Sequence, residues 1–160
     1  MKLAGSCHCK AISFALESRT PYPYMRCYCT ICRKTAGSGG YAITIMGEAA
    51  TLKVRGRRSV RIYRANIVEN GKEQISSARR HFCGECGSAL WVFDPRWAKN
   101  IYPFASAIDT PLPTPPERIH IMLDYKASWI KVPKGVRDQC FREYPAEAII
   151  EWHKRLDLLT

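Results

Sequence analysis

Eight cysteines stand in this 160-residue sequence, and seven fall in three tight groups: Cys7 and Cys9; Cys27, Cys29 and Cys32; Cys83 and Cys86. Cysteines one or two residues apart are awkward disulfide partners but are well placed to grip one cation together. Zinc takes thiolates tetrahedrally, with four protein ligands in a structural site and three, plus an open position, in a catalytic one. Cys83-Gly84-Glu85-Cys86-Gly87 has the form of a zinc knuckle, whose glycines let backbone amides approach the sulfurs. It needs two more thiolates, and Cys7 and Cys9, on one face of an extended segment, can supply them. Cys27, Cys29 and Cys32 then form an incomplete shell around a second ion, as a catalytic zinc requires. Spacing also permits another pairing, in which Cys29 and Cys32 join Cys83 and Cys86 as a zinc ribbon and Cys7, Cys9 and Cys27 are spare. The cofactor expected from the first arrangement is zinc, two ions per chain.

The other polar residues form no comparable constellation. His8 lies between two expected ligands and points away from them; His81 sits near the knuckle and His120 in a strand, in the core or a pocket. Glu48 and Glu85 are isolated carboxylates, and Cys140 is expected to fill a small apolar gap. Trp91, Trp97, Trp129 and Trp152 are expected to serve core and lid packing. The formal charge is +11, which seven thiolates and two dipositive ions bring to about +8. The basic residues concentrate between Lys53 and Arg64 and at Arg79 and Arg80, where they form a solvated face or guide a carboxylate-bearing ligand. Only Tyr63 accompanies them, so the stacking row of a single-strand nucleic-acid binder is missing.

These groups must be positioned by a mostly extended chain. Ala11–Leu16 and Tyr41–Ile45 alternate at period two. Leu52–Arg64 reads as two strands around Gly56, Ala89–Phe93 as a buried strand ended by Asp94-Pro95, and Ile119–Leu123 and Trp129–Val132 as late strands. Four prolines between Thr110 and Pro116 dictate a loop. A short helix is expected over 30–36, stopped by glycines, and a helical tail over about 145–157 opening on Pro145. The fold class is all-β with a short C-terminal helix, organised as one domain over 1–160. No run approaches the roughly 20 apolar residues needed to span a bilayer. The first residues lack the apolar stretch of a signal peptide, which makes the cytoplasm the expected location.

The ordered cysteine motifs resemble the family of glutathione-dependent formaldehyde-activating enzymes, which includes centromere protein V. The likeness runs through Gly5-Ser6-Cys7-His8-Cys9, Cys27-Tyr28-Cys29-Thr30-Ile31-Cys32-Arg33-Lys34 and Phe82-Cys83-Gly84-Glu85-Cys86-Gly87-Ser88. It continues in Ile119-His120-Ile121, Trp129, Tyr144-Pro145-Ala146-Glu147 and Trp152-His153. The resemblance implies a β-tent of packed antiparallel sheets around the zinc sites. It implies structural zinc on Cys7, Cys9, Cys83 and Cys86, and catalytic zinc on Cys27, Cys29 and Cys32. It further implies a carbon–sulfur lyase-like activity, with a small-molecule thiol such as glutathione and a small aldehyde such as formaldehyde as partners. An incoming thiol that fills the vacancy loses its proton there and becomes a sulfur nucleophile. The competing function is a non-catalytic zinc module that binds a protein or nucleic acid through the basic face.

Overall fold

The computed structural model describes residues 1–160 apart from the side chain of Glu69. The chain opens with β1 (Lys2–Ser6) and β2 (Ser13–Glu17), an antiparallel pair joined by the loop that carries Cys7 and Cys9. It continues through β3 (Met25–Cys27), helix α1 (Thr30–Thr35), β4 (Ala42–Ile43), β5 (Gly47–Glu48) and β6 (Lys53–Arg55). Next come β7 (Val60–Tyr63), β8 (Asn66–Glu69), β9 (Lys72–Ile75), β10 (Arg79–Cys83), β11 (Ala89–Phe93) and β12 (Asn100–Pro103). The last elements are β13 (Arg118–Ile121), β14 (Asp138–Cys140) and helix α2 (Ile149–Arg155).

The strands form sheets ordered β1-β2-β6, β5-β12-β11-β10-β7 and β14-β13-β3-β4, with β8-β9 as a separate hairpin. The expected all-β class holds, and most pairs are antiparallel. The third sheet is mixed, because β13 runs parallel to both β3 and β14. The first two sheets share a core to which β2 gives Phe14 and Leu16 and β11 gives Leu90 and Trp91. Phe14 and Trp91 meet edge to face at 5.3 Å, a geometry that suits the ring quadrupoles. Gly56 takes a positive φ of 73° and passes so close to the Ala11 carbonyl that a Cβ would collide with it. Only glycine lets β6 turn there against β2.

A second core lies under the third sheet, where Tyr24, Ile119 and Ile121 pack against Trp152 of α2. Trp152 is fully buried and stacks on Tyr24 at 3.8 Å. The expected helical tail is shorter than 145–157: Ala148 is still extended, and the helix runs from Ile149 to Arg155. The strand expected at Trp129–Val132 is a loop that joins no sheet, and Trp129 is 66% exposed. Trp97 is also exposed, so neither of these two tryptophans is a core residue. The hairpin β8-β9 turns at Asn70-Gly71, both at positive φ, as a tight hairpin turn requires. No described helix is long and apolar enough to cross a membrane.

Candidate functional site

The sulfurs of Cys7, Cys9, Cys83 and Cys86 all lie within 4.8 Å of one another, and those of Cys27, Cys29 and Cys32 form a separate group within the same limit. The ribbon grouping of Cys29 and Cys32 with Cys83 and Cys86 is therefore not the one the fold assembles. Two hairpins make the first group. Cys7 and Cys9 sit in the β1–β2 turn, where Ile12 N–H donates to Cys7 Sγ at 3.2 Å. Cys83 ends β10, and the knuckle closes through Gly87 N–H to the Cys83 carbonyl at 2.9 Å. The backbone N–H of His8 donates to Ser88 Oγ and joins the two turns. Here Cys7 and Cys83 are buried, whereas Cys9 and Cys86 reach the surface.

The spacing tests whether zinc fits. Zinc–sulfur bonds of about 2.3 Å at tetrahedral angles place sulfurs about 3.8 Å apart. Cys7 and Cys9 are 3.5 Å apart, and Cys9 and Cys83 are 3.8 Å apart. Four thiolates at these distances fit a closed tetrahedral shell. Free of a cation, such a cluster shares its protons unequally. The Ala11 amide lowers the Cys9 thiol, but hydrogen bonds with Cys86 and Cys7 outweigh it and push Cys9 up to about 12. Cys86 is drawn down to about 5, first by the Ser88 hydroxyl and then by the Cys9 backbone amide.

The middle group spans the end of β3 and the start of α1. Cys29 caps the helix, and its Sγ accepts from Cys32 N–H at 3.3 Å. The thiols of Cys27 and Cys32 donate toward Cys29 and pull it down to about 2, against the opposing effect of burial. Cys27 is correspondingly pushed far up by its hydrogen bonds with Cys29 and Cys32 and by burial. For Cys32 the lowering contact with Cys27 is outweighed by Cys29 and by burial, which leave it at about 11. The three thiols thus share their protons unequally, with Cys29 the one favoured as thiolate. Among the described residues, no fourth cysteine, histidine or carboxylate joins the three.

Two further side chains face this group. Arg80 of β10 brings Nη2 to 3.9 Å from Cys32 Sγ. It also lines a cavity of about 380 Å³ with Thr35, Tyr63, Phe82 and Phe104. Tyr144, 69% exposed, stands within electrostatic reach of Cys27, Cys29 and Cys32. A second cleft, of about 420 Å³, lies between Leu52, Val54, Trp91, Phe93 and Ile101, and no cysteine lines either cavity.

The remaining expectations divide. His8 is exposed and His120 fully buried. His81 stacks on Trp91 at 5.1 Å, and burial lowers its pKa. Lys53, Arg55, Arg57, Arg58, Arg61 and Arg64 are all exposed, as a solvated basic face should be. Cys140 is exposed at the end of the edge strand β14, so it fills no apolar gap. Sequence reading passed over Asp138 and Tyr28, which the fold joins through His120.

The sequence profile of the glutathione-dependent formaldehyde-activating enzymes matches residues 2–123. The chain belongs to this family. A Halomonas elongata protein provisionally named a glutathione-dependent formaldehyde-activating enzyme is 54% identical over 158 residues, covering 99% of this chain and 98% of that protein. The crystal structure of a Rhodobacter sphaeroides protein superposes with a TM-score of 0.53 over 71% of this chain and 92% of the other, at 23% identity. At that identity the likeness speaks for the fold alone.

Proposed function

We propose that this family member is a zinc-dependent carbon–sulfur lyase-like enzyme acting on the adduct of a thiol, glutathione or similar, with formaldehyde or another small aldehyde. In this reading the whole chain, 1–160, works as one domain in the cytoplasm. Cys7, Cys9, Cys83 and Cys86 hold a structural zinc, and Cys27, Cys29 and Cys32 a catalytic one. The observation that carries the reading is the three-sulfur group without a fourth side-chain ligand among the described residues.

When bound at the trio, zinc supplies a cation that makes a thiol at its open position more acidic. The chain's own residues do the rest. Cys27, Cys29 and Cys32 occupy one side and leave the other to substrate. Cys32 N–H donates to Cys29 Sγ and holds that sulfur as an acceptor. Arg80, beside Cys32 and the cavity, offsets negative charge and receives a carboxylate of the thiol substrate. In the forward direction the thiol sulfur bonds to the aldehyde carbon, the carbonyl π pair moves to oxygen, and that oxygen takes up the proton the thiol releases. The reverse step cleaves the same carbon–sulfur bond.

The test is the exchange between glutathione with formaldehyde and their adduct, followed by NMR line shapes or magnetisation transfer at equilibrium. The zinc-loaded enzyme should speed this exchange above the spontaneous rate, and Cys32→Ser should return it to that rate. Equal rates with wild type, Cys32→Ser and no protein would refute the proposal.

A further inference from the structure

Tyr28 lies between two sulfurs of the middle group, and its hydroxyl points into the core. Extended backbone sends alternate side chains to opposite sides, so Cys27 and Cys29 face one way and Tyr28 the other. Tyr28 is 1% exposed, and its hydroxyl meets His120 Nδ1 at 2.9 Å. His120 is fully buried, with Nε2 3.0 Å from Asp138 Oδ1. Arg118 donates to both Asp138 oxygens, at 2.7 and 3.0 Å, and Gly135 N–H donates to Oδ2 at 2.9 Å.

With a neutral imidazole at His120, this arrangement gives every bond a direction. Asp138, gripped by Arg118, is an ionised acceptor, so His120 Nε2 carries the hydrogen. Nδ1 is then a bare lone pair, and the Tyr28 O–H donates to it. The chain crosses the third sheet from the edge strand β14 through β13 to the residue that follows β3. There Tyr28 N–H also donates to the Ile121 carbonyl at 3.1 Å. Tyr28 is thus held at both its backbone and its hydroxyl.

Buried polar chains of this kind are a costly way to fill a core. Packed apolar side chains of similar volume are often as stable or more so. What a satisfied polar network adds is direction and rigidity. Directly behind two sulfurs, rigidity has an evident use, because an incomplete shell has no fourth side chain to hold it in shape.

We propose that Tyr28, His120 and Asp138 form a positioning device for the middle sulfur group, fixing the peptide between Cys27 and Cys29 and setting how tightly that group holds its metal ion. The proposal rests on the reading of that group as a metal shell. None of the three side chains touches substrate; they act through the two cysteines.

The experiment removes the Tyr28 hydroxyl. Zinc-loaded wild type, Tyr28→Phe, Asp138→Asn and Cys32→Ser are dialysed against graded EDTA, and zinc per chain is counted by mass spectrometry, with melting followed in parallel. Wild type should release its two ions in separate steps, and Cys32→Ser should lack the weaker one. Tyr28→Phe and Asp138→Asn should move the weaker step about tenfold toward lower EDTA, in the range of outer-shell substitutions at metal sites, and leave the tighter step in place. A variant combining Tyr28→Phe with Asp138→Asn should be little worse than either single one, as expected for residues acting as a unit. A wild-type release curve in Tyr28→Phe overturns the inference, and so does a parallel shift of both steps. Should Asp138→Asn fail to fold, Tyr28→Phe, which removes a single oxygen, decides alone. A wild type that binds only one ion refutes the metal reading itself, and the inference falls with it.

Discussion

Replacing Cys83 should cost far more stability than replacing Cys32, although both changes exchange one sulfur for one oxygen. Cys83 is fully buried in the four-sulfur group, where it ties the β10–β11 hairpin to the β1–β2 hairpin. Structural zinc contributes about 10–16 kcal/mol of folding free energy in small zinc peptides, or about 3 kcal/mol per thiolate if shared equally. That is a large part of the roughly 5–15 kcal/mol that holds a domain together. For a chain of this length each kcal/mol moves the melting temperature by about 2–4 °C. Cys83→Ser should therefore melt about 6–12 °C lower than wild type at fixed free zinc. Cys32 is only partly buried, packed against the rim of the first core. Its replacement loses the middle ion but no tie between sheets, and should cost about 1 kcal/mol or 2–4 °C. Circular dichroism melts of zinc-loaded protein, paired with a metal count, measure both quantities. Equal losses of melting temperature would refute the division into a closed structural site and an open one. Cys83→Ser still holding two ions would do the same.

Two other outcomes follow from the same geometry. Arg80→Ala should raise the KM for a carboxylate-bearing thiol about tenfold, the worth of one charge-assisted hydrogen bond, with a smaller effect on a thiol lacking carboxylates; steady-state kinetics on the two substrates checks this. His153 is fully buried with Nδ1 donating to the Ile149 carbonyl, and burial lowers its pKa. The folded state therefore disfavours the proton that the unfolded chain accepts near pH 6.5, so stability is complete above that pH and declines as pH falls below it. Urea midpoints at pH 7.5 and 5.5 should differ in that direction, and His153→Phe should lose part of the difference.

The cysteine groups were legible in the sequence because metal chemistry constrains residue type and spacing locally, and the two hairpin turns that carry Cys7, Cys9, Cys83 and Cys86 are short-range structures. A period-two pattern gave β2, whose alternate residues Phe14 and Leu16 are buried, and a continuous apolar run gave β11, where the adjacent Leu90 and Trp91 are both buried. Strand β8 went unread despite the Asn70-Gly71 turn signal, because the hairpin's described side chains are mostly exposed and carry no alternation to detect. Trp129–Val132 has the composition of a strand, but pairing needs a partner edge, and that is decided elsewhere in the chain. The same holds for Cys140, whose environment depends on β14 being an edge strand.

The case of Asp138 shows where local reading stops. As a lone acidic residue in Arg137-Asp138-Gln139 it has no spacing signal, and its side-chain partners lie 18 and 20 positions away. Those partners meet it only because β13 and β14 run parallel, a pairing that requires a connection through the 122–137 loop. One turn further along the same logic, His120 reaches Tyr28, 92 residues earlier, because β13 also pairs parallel with β3. The residues most exposed to sequence reading are thus the proposed ligands themselves, and the least exposed are those proposed to hold them in place. A site built from three cysteines in six residues depends on a sheet assembled from three distant parts of the chain.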